Sequence, residues 1–84
     1  MSYTVYLKRS AEKELEELPT KIHDRILTAL LSLKDNPFPR NAKKLHGREG
    51  IRIRVGDYRV LYIVDDADKK IEIISIADRK DVYR

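Results

Sequence analysis

The sequence predicts an α+β fold: an N-terminal strand, a helical hairpin, and then a three- to four-stranded antiparallel sheet with both helices packed on one face. Three observations predict it. Apolar residues recur at helical spacing between Ala11 and Leu33. The segment Asn36-Pro37-Phe38-Pro39 then forbids further helix. From Ile51 onward, short apolar runs alternate with turn residues in the manner of strands. The 84 residues are expected to form one domain, 1–84.

Tyr3 to Leu7 alternates and is rich in β-branched and aromatic residues, which predicts the first strand. Ser10 is placed to cap a helix running to about Leu18, whose apolar positions Ala11, Leu15 and Leu18 share one face. Pro19 ends it, and Thr20 is placed to cap a longer helix to about Lys34. Its broad stripe of Ile22, Ile26, Leu27, Leu30, Leu31 and Leu33 should lie on a sheet. Ala42 to His46 reads as a short edge strand followed by a turn at Gly47. Ile51 to Val55 alternates strictly, and Gly56-Asp57 makes a tight turn. Tyr58 to Val64 is nearly continuous in apolar residues, as in a strand buried on both faces. Asp65 to Lys70 reads as a charged hairpin loop, Ile71 to Ile76 as another buried strand, and the remainder as a polar tail.

Composition removes several function classes. With no cysteine, disulfides and thiolate metal sites are excluded. His23 and His46 have no partner at metal-ligand spacing, and Gly47, Gly50 and Gly56 do not form a phosphate-cradling loop, so neither metal nor nucleotide cofactor is expected. Ser75 lies within a strand, without the sharp turn that a nucleophilic serine needs. No apolar run approaches the roughly 20 residues of a membrane span. The N-terminus lacks a signal-peptide pattern, which suggests a soluble, cytoplasmic protein.

The net charge of +4 is unevenly spread. Residues 1–42 hold seven basic and six acidic side chains, whereas Arg40 to Arg59 holds seven basic (Arg40, Lys43, Lys44, Arg48, Arg52, Arg54, Arg59) against Glu49 and Asp57. Such an excess suits a polyanion-binding face, although a merely solvated surface would show it too. If Ile51, Ile53 and Val55 face the core, Arg52 and Arg54 project from the opposite face about 7 Å apart, close to the spacing of successive phosphates. Arg59 follows the turn on the neighbouring strand, and its face depends on register. Arg79 emerges beyond the last strand. The bland alternative pairs these arginines with Asp57, Asp78 and Asp81. Tyr83 could stack on a base, move a proton, or simply cover the sheet edge. His46, beside Gly47 in the basic segment, is a further candidate for RNA contact.

The chain resembles the RelE/ParE superfamily of bacterial and archaeal toxins along essentially its whole length. The residues that carry the likeness are Tyr3-Thr4-Val5-Tyr6-Leu7, Ala11-x-Lys13-x-Leu15-x-x-Leu18-Pro19, Asn36-Pro37-x-Pro39 and Lys44-Leu45-x-Gly47. More specific are the block Arg52-Ile53-Arg54-Val55-Gly56-Asp57-Tyr58-Arg59-Val60-Leu61-Tyr62 and the late Arg79-x-Asp81-Val82-Tyr83. The resemblance implies a RelE-like, microbial-ribonuclease-like fold and an endoribonuclease that cuts messenger RNA in the ribosomal A site. There the ribose 2′-hydroxyl attacks the adjacent phosphate, leaving a cyclic phosphate and a 5′-hydroxyl. By position Arg52 and Arg54 stand where well-known members carry two lysines, Arg59 and Arg79 match their functional arginines, and Tyr83 matches a tyrosine that stacks on or activates the substrate. The expected catalytic set is Arg54, Arg59, Arg79 and Tyr83; Lys43, Lys44, His46, Arg48 and Arg52 are expected to hold RNA.

Arginine is a poor general base, which leaves Tyr83, His46 and Glu49 as candidates for that role. The resemblance also implies partners: a cognate antitoxin, the ribosome with its messenger and small-subunit rRNA, and operator DNA reached only through the toxin–antitoxin complex. Two alternatives stay open on the same fold, a ParE-like inhibitor of DNA gyrase and a non-catalytic RNA-binding module.

Overall fold

The computed structural model describes residues 2–78, in the order β1 (Thr4–Leu7), α1 (Arg9–Glu16), α2 (Thr20–Leu33), β2 (Lys43–Lys44), β3 (Ile51–Val55), β4 (Tyr58–Asp65) and β5 (Lys70–Asp78). The strands form one sheet, ordered β1-β5-β4-β3-β2. Strands β2 to β5 are antiparallel neighbours, as expected. β1 adds a fifth strand, parallel to β5 with Thr4 opposite Lys70, so the sheet is mixed rather than purely antiparallel.

Both helices lie on one face of this sheet. From α1 and α2 come Ala11, Leu15, Ile26, Leu30 and Leu33, and they meet Ile51, Ile53, Val60, Tyr62, Ile71, Ile73 and Ile76 from the strands. Strict alternation supplies one core residue in two along β3 and β4. In β5 it breaks: a register shift at Leu61/Tyr62 leaves Ile74 unmatched, so that Ile73 and Ile76 both reach the core three positions apart. Tyr62 is fully buried, its hydroxyl donating to the Pro37 carbonyl at 2.7 Å. That bond ties the proline segment after α2 to the middle of the sheet.

Several boundaries differ from the sequence reading, each for a local reason. Ser10 does not cap α1. Lys8 N–H donates to the Ile73 carbonyl at 2.9 Å, which holds Lys8 extended (φ −59°, ψ 148°), and the helix starts directly after it at Arg9. Likewise Thr20 is the first residue of α2, and Pro19, with its extended backbone, precedes it. β2 shrinks to two residues because Leu45 N–H donates to the Gly50 carbonyl, closing a loop over 46–49. Gly47 (φ +74°) and Gly50 (φ +135°) supply the backbone that this loop needs.

β4 is covered on one face only. Val60 and Tyr62 are buried beneath the helices, whereas Leu61 and Ile63 on the other face are half-buried. The α2 stripe is also narrower than expected, since Leu27 and Leu31 stay exposed beside β1. The face of the sheet turned away from the helices is therefore open.

Candidate nucleic-acid interface

The β3–β4 hairpin closes through the two-residue loop Gly56-Asp57, with Val55 opposite Tyr58 and Arg54 opposite Arg59. Gly56 takes φ +61°, the left-handed conformation that such a loop asks of its first residue. Directly opposed residues of an antiparallel pair share a face, so Arg52, Arg54 and Arg59 all project from the open side. Lys43 stands opposite Arg52 on β2 and joins them. These four cations, with Asn41 and Ile53, line a concavity of about 270 Å³.

Each member is held differently. Arg59 occupies the inner strand between β3 and β5, opposite the small Ala77, and is only 8% exposed. Arg54 is exposed, and its Nε donates to the Gly56 carbonyl at 3.1 Å. One of its five N–H donors is thereby spent on orientation and the others remain for a ligand. Asn41 Nδ2 donates to the Arg54 carbonyl at 3.2 Å, pinning the loop before β2 to the end of β3. Among the described residues, Lys43, Arg52 and Arg54 form no ion pair, and Asp57 sits exposed in the turn without pairing to them. Like charges directly opposed in a sheet oppose folding by some tenths of a kcal/mol each. The row Arg54–Arg59 bears that cost.

The remaining expected residues are not gathered here. Lys44 stands opposite Ile51, on the helix-side row of the edge strand, and lines a separate groove with Phe38, Leu45, Arg48 and Ile63. Arg48 also borders an apolar bay of about 340 Å³ on the open face, floored by Leu45, Leu61, Ile63 and Ile74. His46 is exposed in the β2–β3 loop and does not line the basic concavity. Arg79 and Tyr83 lie outside the described residues.

Two residues that the sequence reading did not single out belong to the neighbourhood. Asn41 is one, with no signal beyond its place just before β2. Arg25 on α2 is the other. Its Nη1 lies 3.2 Å from where a Cβ on Gly56 would sit, and it shares with Arg54 and Asn41 a groove of about 570 Å³ along α2. In the sequence Arg25 looks like any residue of a solvated helix face.

Among the described residues, Tyr3 and Tyr62 hold their phenolic protons more tightly than usual, and neither lines the concavity. Tyr3 donates to Asp66 Oδ1 at 2.5 Å, and that carboxylate raises its pKa. Burial pushes Tyr62 up to about 12. Among the described residues no group of three His, Cys, Asp or Glu could hold a metal ion, and no helix is long and apolar enough to cross a membrane.

The helical hairpin thus lies on one face of a small mixed sheet and leaves the other face open and cationic. The chain belongs to the family described as the ParE toxin of the type II toxin–antitoxin system, parDE, whose model matches residues 5–83. The chain's relatives include RelE proteins. It is 36% identical to Toxin RelE of Mycobacterium tuberculosis over 84 residues, covering 98% of this chain and 87% of that one. A chain of the archaeal RelE–RelB complex from Pyrococcus horikoshii superposes with a TM-score of 0.84 at 35% identity, covering 94% of this chain and 97% of the other. A chain of the intact Escherichia coli RelBE toxin–antitoxin complex gives 0.76 at 25% identity, covering 92% and 96%.

Proposed function

We propose that this toxin inhibits translation as a metal-independent endoribonuclease, cutting messenger RNA in the ribosomal A site. The observation that carries the reading is the convergence of Lys43, Arg52, Arg54 and Arg59 on one uncovered concavity of the sheet. Arg52 and Arg54, one strand repeat apart, match successive backbone phosphates. Arg59 is buried and already oriented, so it can meet the charge that grows on the non-bridging oxygens without reorganising first. Arg79 and Tyr83 complete the catalytic set in this reading, by their match to the superfamily pattern. Lys44, His46 and Arg48, on the flank of the sheet, are assigned to the longer path of RNA across the ribosome. The reaction joins O2′ to phosphorus and expels O5′, giving a 2′,3′-cyclic phosphate and a 5′-hydroxyl. Orientation of the bent linkage, supplied by the ribosome, accounts for much of the rate in this scheme.

The same reading gives the toxin a cognate antitoxin, since related chains occur in RelE–RelB and RelBE complexes. Operator DNA is reached through that complex, and the working compartment is the cytoplasm. One observation favours a second reading: the matching family model is described as a ParE toxin, which on this fold points to DNA gyrase.

Primer extension on a messenger held in a programmed ribosome separates the two. A new stop within the A-site codon, absent on free RNA and lost in Arg79→Ala, is the expected result. An uncut messenger together with inhibited gyrase supercoiling would replace the nuclease with the gyrase reading.

A further inference from the structure

The end of β5 is held less firmly by its neighbouring strands than its beginning. Lys70 to Ile73 pairs with β1 on one side and β4 on the other. β1 stops there, its last pair being Leu7 with Ile73. The register shift at Leu61/Tyr62 then leaves Ile74 unmatched, and pairing with β4 resumes at Ser75. Ser75 to Asp78 is thus a short ladder, separated from the longer one by a bulge. A slip of one residue along it would turn each of its side chains to the opposite face. Ala77 would then leave its place opposite Arg59, and Ile76 or Asp78 would take it.

A side chain pins this ladder from outside the sheet. Glu14 Oε1, on α1, accepts the Ile76 backbone N–H at 3.0 Å in a part-buried position. The carboxylate stands in for the neighbouring strand that β1 is too short to supply, and a charged acceptor makes such a bond roughly twice as strong as a neutral one. α1 is itself anchored. Ala11 and Leu15 are buried in the core, and just ahead of the helix Lys8 N–H donates to the Ile73 carbonyl at 2.9 Å. Glu14 therefore offers the end of β5 a fixed point. Glu12, Glu16 and Glu17, which look the same in the sequence, are exposed.

Arg59 is the residue to which this matters. It is 8% exposed, the most enclosed cation of the concavity, and it lies opposite Ala77. A methyl group there leaves the guanidinium room on the open face. The bulk of Ile76 or the carboxylate of Asp78 in the same place would crowd it or draw it away from a phosphate. On the nuclease reading, we infer that Glu14 is a positioning residue for cleavage: by holding Ile76 N–H it fixes the register of Ser75 to Asp78 against β4, and with it the setting of Arg59. Glu14 lies on the helix side of the sheet and touches neither substrate nor reacting atoms. Arg79 and Tyr83 keep the roles proposed above.

The test compares Glu14→Ala, Glu14→Gln and Tyr62→Phe in single-turnover cleavage on programmed ribosomes, below the melting range of every variant, with hydrogen exchange at the Ile76 amide followed by NMR. Glutamine keeps a side-chain oxygen for the Ile76 N–H and alanine does not. Tyr62→Phe removes a different buried hydrogen bond and leaves the Glu14–Ile76 bond in place. Glu14→Ala is expected to lower the rate at saturating ribosomes by about 10²-fold and to leave the half-saturating concentration within about threefold, since misplacement by about 1 Å has an effect of that order. Glu14→Gln is expected to stay within about fivefold of the unaltered toxin and Tyr62→Phe within about threefold, with exchange at Ile76 fast only in the alanine variant. Should Glu14→Ala fail to fold, Glu14→Asp, one methylene short of the bond, takes its place. An unchanged rate in the shortened variant, a loss that glutamine does not restore, or an equal loss in Tyr62→Phe would each overturn the role. If the unaltered toxin cuts no messenger, the nuclease reading itself fails, and this inference with it.

Discussion

The Tyr62 hydroxyl gives a sharp test of how this small core is tied together. It is fully buried and donates to the Pro37 carbonyl at 2.7 Å, joining the end of the helical half to the central strand. Tyr62→Phe keeps the ring and removes the donor, leaving a buried carbonyl unpaired at a cost of about 1–3 kcal/mol near neutral pH. The same hydroxyl carries a pH dependence of known sign. Burial raises its pKa to about 12, above the ordinary value of 10.0, so the fold binds the phenolic proton more tightly than the unfolded chain does. The resulting stability is complete below about pH 10 and drains away as pH climbs toward about 12. With those two values, on the order of 1 kcal/mol is lost by pH 11 and roughly 2 kcal/mol by pH 12. Phenylalanine does not ionise and loses none of this, while every other titrating group is common to both proteins and cancels in the difference. Urea unfolding followed by circular dichroism should therefore show a gap that is steady up to about pH 10 and closes between about pH 11 and 12. A gap that holds its neutral value to about pH 12 would refute the reasoning, because it would mean that the phenol ionises equally in both states.

Two further outcomes follow from the geometry of the basic face. Gly56→Ala forces a side chain into φ +61° with a Cβ 3.2 Å from Arg25 Nη1; the expected cost is about 1–2 kcal/mol, seen as a melting temperature lower by roughly 4–8 °C per kcal/mol, and an unchanged melting curve would contradict it. Arg52→Gln removes one phosphate contact from the open face, so the slope of log affinity against log salt for single-stranded RNA should flatten by about 0.7, whereas an unaltered slope would take Arg52 off the RNA path.

What could be read ahead of the structure follows a physical line. Ile51 to Val55 was legible because period-two alternation beside a single core leaves only one choice of face. Even the face of Arg59 was within reach, because a two-residue loop at Gly56-Asp57 sets Arg54 opposite Arg59 with no freedom left. The parallel docking of β1 on β5 was not legible. Nothing local in Tyr3 to Leu7 names a partner so distant in the chain. Nor was the irregularity at Ile74, where the run Ile73-Ile74-Ser75-Ile76 reads as a uniformly buried strand until its pairing with β4 is known. Helix starts failed for a related reason: Lys8 is committed to Ile73 by a long-range bond, which overrides the capping preference of Ser10. For the site, alternation put Arg52 and Arg54 on one face, while the faces of Arg59 and Lys43 came only with the strand register. Lys44, His46 and Arg48 scattered, because a loop turning through Gly47 and Gly50 obeys no such period.

The pairing of Thr4 with Lys70 also sets an order of events when the chain is made. Synthesis delivers β1 long before β5, its partner in the sheet, exists. The helical hairpin and the β2–β4 meander, whose contacts are close in sequence, can form early. The outer strand must wait, and closing so long a loop is slow relative to local steps. A nascent chain therefore carries its cationic hairpin before the frame that holds it is finished. β5 is the strand that joins these local pieces into one sheet.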